Sequence, residues 1–418
     1  MTQAARASAR KNDMAESKRF LILTADAGFG HRSAANAIEA ALNERHSGAC
    51  QVDVVNVLDA ERTPAILRDS QTDYDRIARE SPDLYKLGYE ASDAPVPATI
   101  FENALTVMLF GPMRETLERY RPDVIVTTYP LYQAPLAAIN ALSRQPVPVI
   151  TVVTDLATVH RIWFNNGVDQ CLVPTETVRQ LAVECGVALE KVQVTGIPVN
   201  PAITRDDREP AEVRRALGWR PELTTVLAVG SKRVGYLPDV LRALNHAALP
   251  IQIAAVAGGD DDLHQHLQSV EWHVPAHVHN FVDNMPDLMR ASDVIVCKAG
   301  GLIVTESLAR GLPLLLVDVI PGQEEGNAQY VVDGGAGRQV ESPVDALETL
   351  FDWLNNDAAL LAEAARNARK LGRPNAAYDV AECAWTLAQQ TMRDQPEHLA
   401  KERPRISDLL KLFNLPWE

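Results

Sequence analysis

The chain has 418 residues and a formal net charge of −15, with 46% hydrophobic and 23% charged residues. That length suits two or three domains with cores of their own, and the composition is that of a soluble globular protein. The negative charge argues against broad binding to nucleic acid and against adsorption of the whole surface to anionic lipid, so any membrane contact must be local.

No apolar run reaches the roughly 18 to 20 residues of a membrane span, and residues 1–18 lack the apolar centre of a secretory signal. The sequence therefore predicts a cytoplasmic protein with a disordered start over 1–18. Its five cysteines are scattered without a CxxC pair, which argues against a disulfide framework and against a zinc site.

A buried strand over 20–25 runs into the turn Asp26-Ala27-Gly28-Phe29-Gly30-His31-Arg32, and Ala34, Ile38, Ala41 and Leu42 then continue at helical spacing. His31 stands at a strand's C-terminal end, where open α/β sheets form their crevices; capping the helix is the competing role. Strands over 52–58 and 124–128 bracket a region whose apolar segment 101–110 fits either an acceptor groove or the packed face of an inserted helix. A strand over 149–154 delivers Asp155, placed for chemistry or for an N-cap, and then His160 and Trp163-Phe164, a lipid-contacting edge or interior packing. After a strand at 192–196, residues 204–218 read as a linker.

The second half opens with a strand from 225 into Gly230-Ser231, where Lys232 and Arg233 could neutralise a diphosphate. Three aspartates at 260–262 follow a glycine pair and precede helical residues, which favours capping over a metal site. His277 and His279 alternate on a strand without a third ligand nearby. The organising stretch is 293–329, DVIVCKAGGLIVTESLARGLPLLLVDVIPGQEEGNAQ. A strand, the turn Lys298-Ala299-Gly300-Gly301 and a helix beginning at Leu302 place free N–H groups and a dipole's positive end where an anion such as diphosphate binds. Glu306 sits about one turn on, suited to a sugar's vicinal hydroxyls. A second strand then delivers Gln323, Glu324 and Asn327, groups suited to a hydroxylated ligand. Residues 336–370 read as helical, and a helix over 376–390 follows Arg373-Pro374. The tail carries Ile406, Leu409, Leu410 and Phe413 on one face, an interfacial anchor or a docking segment.

The order from FVDNMPDLMRASDVIVCKAGG to GQEEGNAQYVVDGGAG over 281–337 resembles the donor half of the monogalactosyldiacylglycerol synthase and processive diacylglycerol glycosyltransferase group, and the likeness extends over about 20–388. It implies an α/β GT-B fold, two Rossmann-like domains facing a cleft. The implied division is an acceptor domain over 19–203, the 204–218 linker, a donor domain over 219–373, a returning helix over 374–393 and an amphipathic tail over 394–418. The implied reaction moves galactose or glucose from a UDP-sugar to diacylglycerol with inversion. The sugar nucleotide is a substrate, with no cofactor and no metal.

On this resemblance His31 is the catalytic base or positions the acceptor, with Asp155 beside it. Phe281 and Val282 bracket the uracil, and Gly230, Ser231, Lys298, Gly300, Gly301 and Leu302 hold the diphosphate. Glu306 holds the ribose, while Gln323, Glu324 and Asn327 hold the sugar. Gly30, Arg32, His160 and Trp163 fall on the acceptor and membrane side. The turn carries Phe29 where the family usually has glycine. The expected place is the inner face of the cell membrane, with homo-oligomerisation left open. Another lipid-linked acceptor is the nearest alternative, and a non-catalytic UDP-sugar sensor, suggested by the eroded Gly230-Ser231 turn, is the alternative of a different class.

Overall fold

A computed structural model describes residues 17–27, 30–68, 95–231, 235–320 and 324–393. Gly28 and Phe29, Lys232 and Arg233, Gln323 and the 401–418 tail lie outside them.

Short, mostly apolar runs become parallel strands, the inner ones buried on both faces and the edge ones only in part. In the first half these are β1 (Lys18–Thr24), β2 (Cys50–Asn56), β3 (Val124–Thr127), β4 (Val149–Val152), β5 (Gln170–Val173) and β6 (Val192–Val194). They form one sheet in the order β2-β1-β3-β4-β5-β6, every pairing parallel. The second half repeats the plan with β7 (Thr224–Val229), β8 (Ile251–Val256), β9 (Ala276–His279), β10 (Val294–Cys297), β11 (Leu314–Leu316) and β12 (Gly337–Gln339), in the order β12-β11-β10-β7-β8-β9. Strand order reverses between β1 and β3, and again between β7 and β10. A crevice opens at the C-terminal ends of such pairs, so topology alone marks the turns after 24, 127, 229 and 297.

Five helices carry or brace the parts of the molecule around these turns: α1 (Gly30–Arg45), α2 (Pro95–Tyr120), α3 (Gly301–Arg310), α4 (Glu325–Asp333) and α5 (Ala376–Arg393). On α2, Leu105, Leu109 and Met113 recur every four residues and are fully buried, whereas Val107 on another face is 80% exposed. Leu105 and Leu109 of the apolar stretch are thus core, while Val107 stays in the open. Residues 337–339, expected within a helix, instead form β12, where a three-residue strand with two exposed side chains leaves no apolar run to read.

Helix α5 returns to the first sheet. Ala377, Val380, Ala381, Ala384 and Ala388 lie against Phe20, Ile22, Val124, Val126 and Ile150, and alanines let the helix approach closely. Trp385 stacks on His46 at 3.9 Å. The two passages between the halves run side by side. A Cβ on Gly196, which has φ +90°, would stand 2.4 Å from Arg373 Cβ, so only glycine fits there. Close by, Thr204 Oγ1 donates to the Pro374 carbonyl at 3.3 Å.

Candidate active site

The site begins at the switch point of the first sheet. The first turn of α1 carries His31, whose carbonyl accepts from Thr128 Oγ1 at 3.0 Å, just beyond β3. The His31 ring is flanked by Tyr129, edge-on at 5.1 Å, and by Trp163 at 6.0 Å. Its Nδ1 lies 2.8 Å from Thr154 Oγ1 in the loop after β4. Burial lowers the pKa of His31 and outweighs the nearby Asp155 charge, which raises it. The imidazole is therefore neutral near pH 7 and able to take a proton.

Asp155 faces the opposite balance. Burial raises its pKa, against the lowering effects of His31 and of the hydrogen bond it accepts from Trp163 Nε1 at 2.6 Å. Trp163 is 1% exposed, so it packs inside and orients Asp155 rather than offering an edge to lipid. His160 Nδ1 accepts from the Ile162 amide and so shapes the same loop. Arg32, on the acceptor side by expectation, makes a two-pronged ion pair with Asp26 at 2.8 Å. That pair ties the start of α1 to the turn before it. Gly30 opens α1, with nothing within 4 Å of a Cβ built on it.

The second sheet supplies the other wall. Gly300 is the N-cap of α3 and offers no side-chain cap, so the helix terminus around Gly301 and Leu302 keeps N–H groups without an intrahelical partner, as an anion site requires. Glu306, on α3, is 8% exposed, and burial pushes its pKa up to about 8. Lys298 is ion-paired with Glu324, which is 3% exposed and also accepts from the Ile320 amide at 3.3 Å. The two were expected to hold different parts of one ligand, yet here they hold each other. A lysine neutralised in this way offers a diphosphate less net charge than a lone cation, which leaves more of that task to the helix terminus.

Gly230 is fixed by packing: its amide donates to the Val256 carbonyl, and a Cβ there would stand 2.5 Å from Leu263 Cδ2. Ser231 follows at the end of β7. Phe281 is 63% exposed and Val282 half-buried in the loop after β9. Asp260 caps its helix by accepting from the Leu263 amide, as the capping account expects.

The two walls meet through one loop. The carbonyl of Thr154 lies 3.5 Å from where a Cβ on Gly301 would stand. The Ala157 amide donates to Asn327 Oδ1 at 3.2 Å, and Asn327 Nδ2 donates to the Ala299 carbonyl at 2.9 Å. A Cβ on Gly326 would come within 2.4 Å of Thr158 Oγ1. His31 and Asp155 are thus held opposite the α3 terminus. Sequence reasoning misses Thr154, Tyr129 and Gly326, although Thr154 precedes Asp155 and Tyr129 lies two residues past a switch-point strand. Among the described residues, no three or more His, Cys, Asp and Glu side chains are grouped to hold a metal ion.

Comparison with known proteins shows the family and the fold. Residues 31–199 match the family described as monogalactosyldiacylglycerol (MGDG) synthase, and 226–382 match the glycosyltransferase family 28 C-terminal domain. The chain is 33% identical to monogalactosyldiacylglycerol synthase of Spinacia oleracea over 373 residues, 87% of this chain and 71% of that protein. It is 34% identical to a probable monogalactosyldiacylglycerol synthase 2 of Oryza sativa subsp. japonica, covering 90% of this chain and 82% of that one. In fold it is similar to MurG of Acinetobacter baumannii, with a TM-score of 0.54 and 19% identity over 88% of this chain and 99% of that chain. The calicheamicin glycosyltransferase CalG4 gives a TM-score of 0.55 at 15% identity, over 91% and 100%. The two facing parallel-sheet domains are the GT-B architecture.

Proposed function

The chain belongs to the monogalactosyldiacylglycerol synthase family, UDP-sugar-dependent hexosyltransferases of the GT-B fold, and from that premise we propose that it transfers galactose from UDP-galactose to the free hydroxyl of diacylglycerol with inversion. Galactose is preferred to glucose because the similar proteins carry galactolipid-synthase names. His31 takes the acceptor's proton, and the acceptor oxygen bonds to the sugar's first carbon as the bond from that carbon to the diphosphate oxygen breaks. Charge developing on the leaving UDP is received by the N–H groups at Gly300, Gly301 and Leu302, with Lys298, Gly230 and Ser231 alongside. Phe281 and Val282 flank the base, and Glu306 holds the ribose. Gln323 and Glu324 bind hydroxyls of the transferred sugar.

Because the acceptor is a lipid, the enzyme works at a membrane surface, peripherally on its cytoplasmic face. Among the described residues no helix is long and apolar enough to cross a membrane. The observation that carries this proposal is the juxtaposition of the half-buried His31 imidazole, hydrogen-bonded to Thr154 Oγ1, with the N-terminus of α3, where the Thr154 carbonyl lies 3.5 Å from the place of a Cβ on Gly301. Incubation of the protein with diacylglycerol and, in parallel, radiolabelled UDP-galactose and UDP-glucose tests it. The expected product is a galactolipid whose formation is lost in His31→Ala while UDP binding persists. UDP binding by the wild-type protein without any turnover would overturn it in favour of a nucleotide-sugar sensor.

A further inference from the structure

The side chain that holds the His31 ring is a hydroxyl. Thr154 Oγ1 lies 2.8 Å from Nδ1, whereas the neighbouring carboxylate of Asp155 accepts from Trp163 Nε1 at 2.6 Å. A neutral imidazole carries one proton, and the partner of one nitrogen decides whether the other is a donor or an acceptor. A carboxylate at Nδ1 would stabilise the imidazolium as well as orient the ring; a hydroxyl does only the second.

We propose that Thr154 is the positioning residue for the base: its Oγ1 accepts the Nδ1 proton, so that the Nε2 lone pair faces the acceptor hydroxyl. The assignment deepens the proposed reaction and rests on His31 being its base. Asp155, which accepts from Trp163 Nε1, then acts on the ring through its charge.

Thr154 is well held for this task. It is 6% exposed, and its own loop is braced against the donor wall. Asn327 uses both ends of its amide as a strut between Ala157 and Ala299, although its residue type suggests a contact to sugar. Gly326 closes on Thr158 at the next position along. One segment, 154–158, therefore sets the direction of the base and its separation from the turn that receives the leaving group. A threonine on a free loop would not hold an imidazole to the few tenths of an ångström that proton transfer requires.

The test reads the proton directly. Nitrogen NMR of the full-length protein with labelled histidine, assigned by the signal missing in His31→Ala, is expected to find the neutral ring protonated on Nδ1. Thr154→Val, close in shape but without an acceptor, should shift the ring toward the Nε2 tautomer. It should lower kcat about 10- to 100-fold, with KM for the sugar nucleotide changed less than about twofold. Thr154→Ser should restore both the tautomer and most of kcat. A wild-type ring protonated on Nε2 overturns the proposal, as does Thr154→Val with unchanged tautomer and kcat, or Thr154→Ser as impaired as the valine variant. Since the tautomer is read without turnover, a His31→Ala protein that remains active refutes the base assignment separately.

Discussion

Replacing Glu306 by glutamine isolates the effect of burying one carboxyl behind the nucleotide wall. Its pKa is raised by burial from 4.5 to about 8. Unfolded, it ionises near the ordinary value, so between pH 4.5 and 8 the folded chain holds a proton that the unfolded chain has released. The stability associated with that proton is complete below pH 4.5 and is lost as the pH climbs through the window, by about 1.4 kcal/mol per pH unit. From pH 4.5 to 7 this amounts to about 3 kcal/mol, and to about 5 kcal/mol by pH 8. Glutamine cannot ionise. The variant should therefore gain on the wild type by about 3 kcal/mol between pH 4.5 and 7, whatever the fixed cost of the amide. Urea titrations of both proteins across that range measure the difference, and parallel stability curves would refute the reasoning. The same carboxyl predicts the ligand's behaviour. If it becomes an acceptor for the ribose, UDP binding releases a proton and affinity rises toward pH 8, by at most tenfold per unit. In Glu306→Gln that slope should vanish.

Gly326→Ala should thrust a methyl group against Thr158, shift the 154–158 loop by about 1 Å and lower kcat by as much as about 100-fold, with a modest loss of stability. Paired with Thr158→Ala, which removes the nearest atom, it should recover most of the activity; an inactive double variant would show that the contact is not the cause. Asp155→Asn removes the charge that supports protonation of His31, so the acid limb of the kcat/KM profile should move to lower pH, and an unmoved limb would dissociate the two residues. Arg214, 6% exposed, binds the carbonyls of Ala291 and Pro221 and the Asp293 carboxylate. Arg214→Met should cost about 1 to 3 kcal/mol by taking a donor from those two carbonyls, since Asp293, 31% exposed and still bonded by the Thr225 amide at 2.8 Å, is left to water; an unchanged stability in chemical denaturation would refute the reasoning.

Much of the fold is legible because its strands are unbroken apolar runs ended by glycine turns. The run 294–297 before Gly300-Gly301 is the plainest example, and the structure gives β10 and α3 there. β5 and β12 are not legible, the first because only three apolar residues follow Gln170, the second because its exposed polar side chains have no period. Within the site, His31 and Glu306 can be nominated from their place after a strand or along a helix. Spacing along one chain, however, says nothing of partners 123 residues away, the separation between His31 and Thr154. For the same reason residue type assigns Trp163 and Asn327 to ligands, whereas their polar atoms are bonded to protein. An indole or an amide looks equally available in sequence until the opposite wall is in place.

The return of α5 reverses the usual order of assembly during synthesis. β6 ends at residue 194 but α5 begins only at residue 376, so the apolar face of the first sheet that α1 and α5 share stays only half covered while the whole second domain emerges. At about 5 to 20 residues per second the wait is roughly 10 to 40 s. The half made first is thus finished last, and a nascent chain stalled just before residue 376 would be a client for chaperones even though every strand of both sheets had already been synthesised.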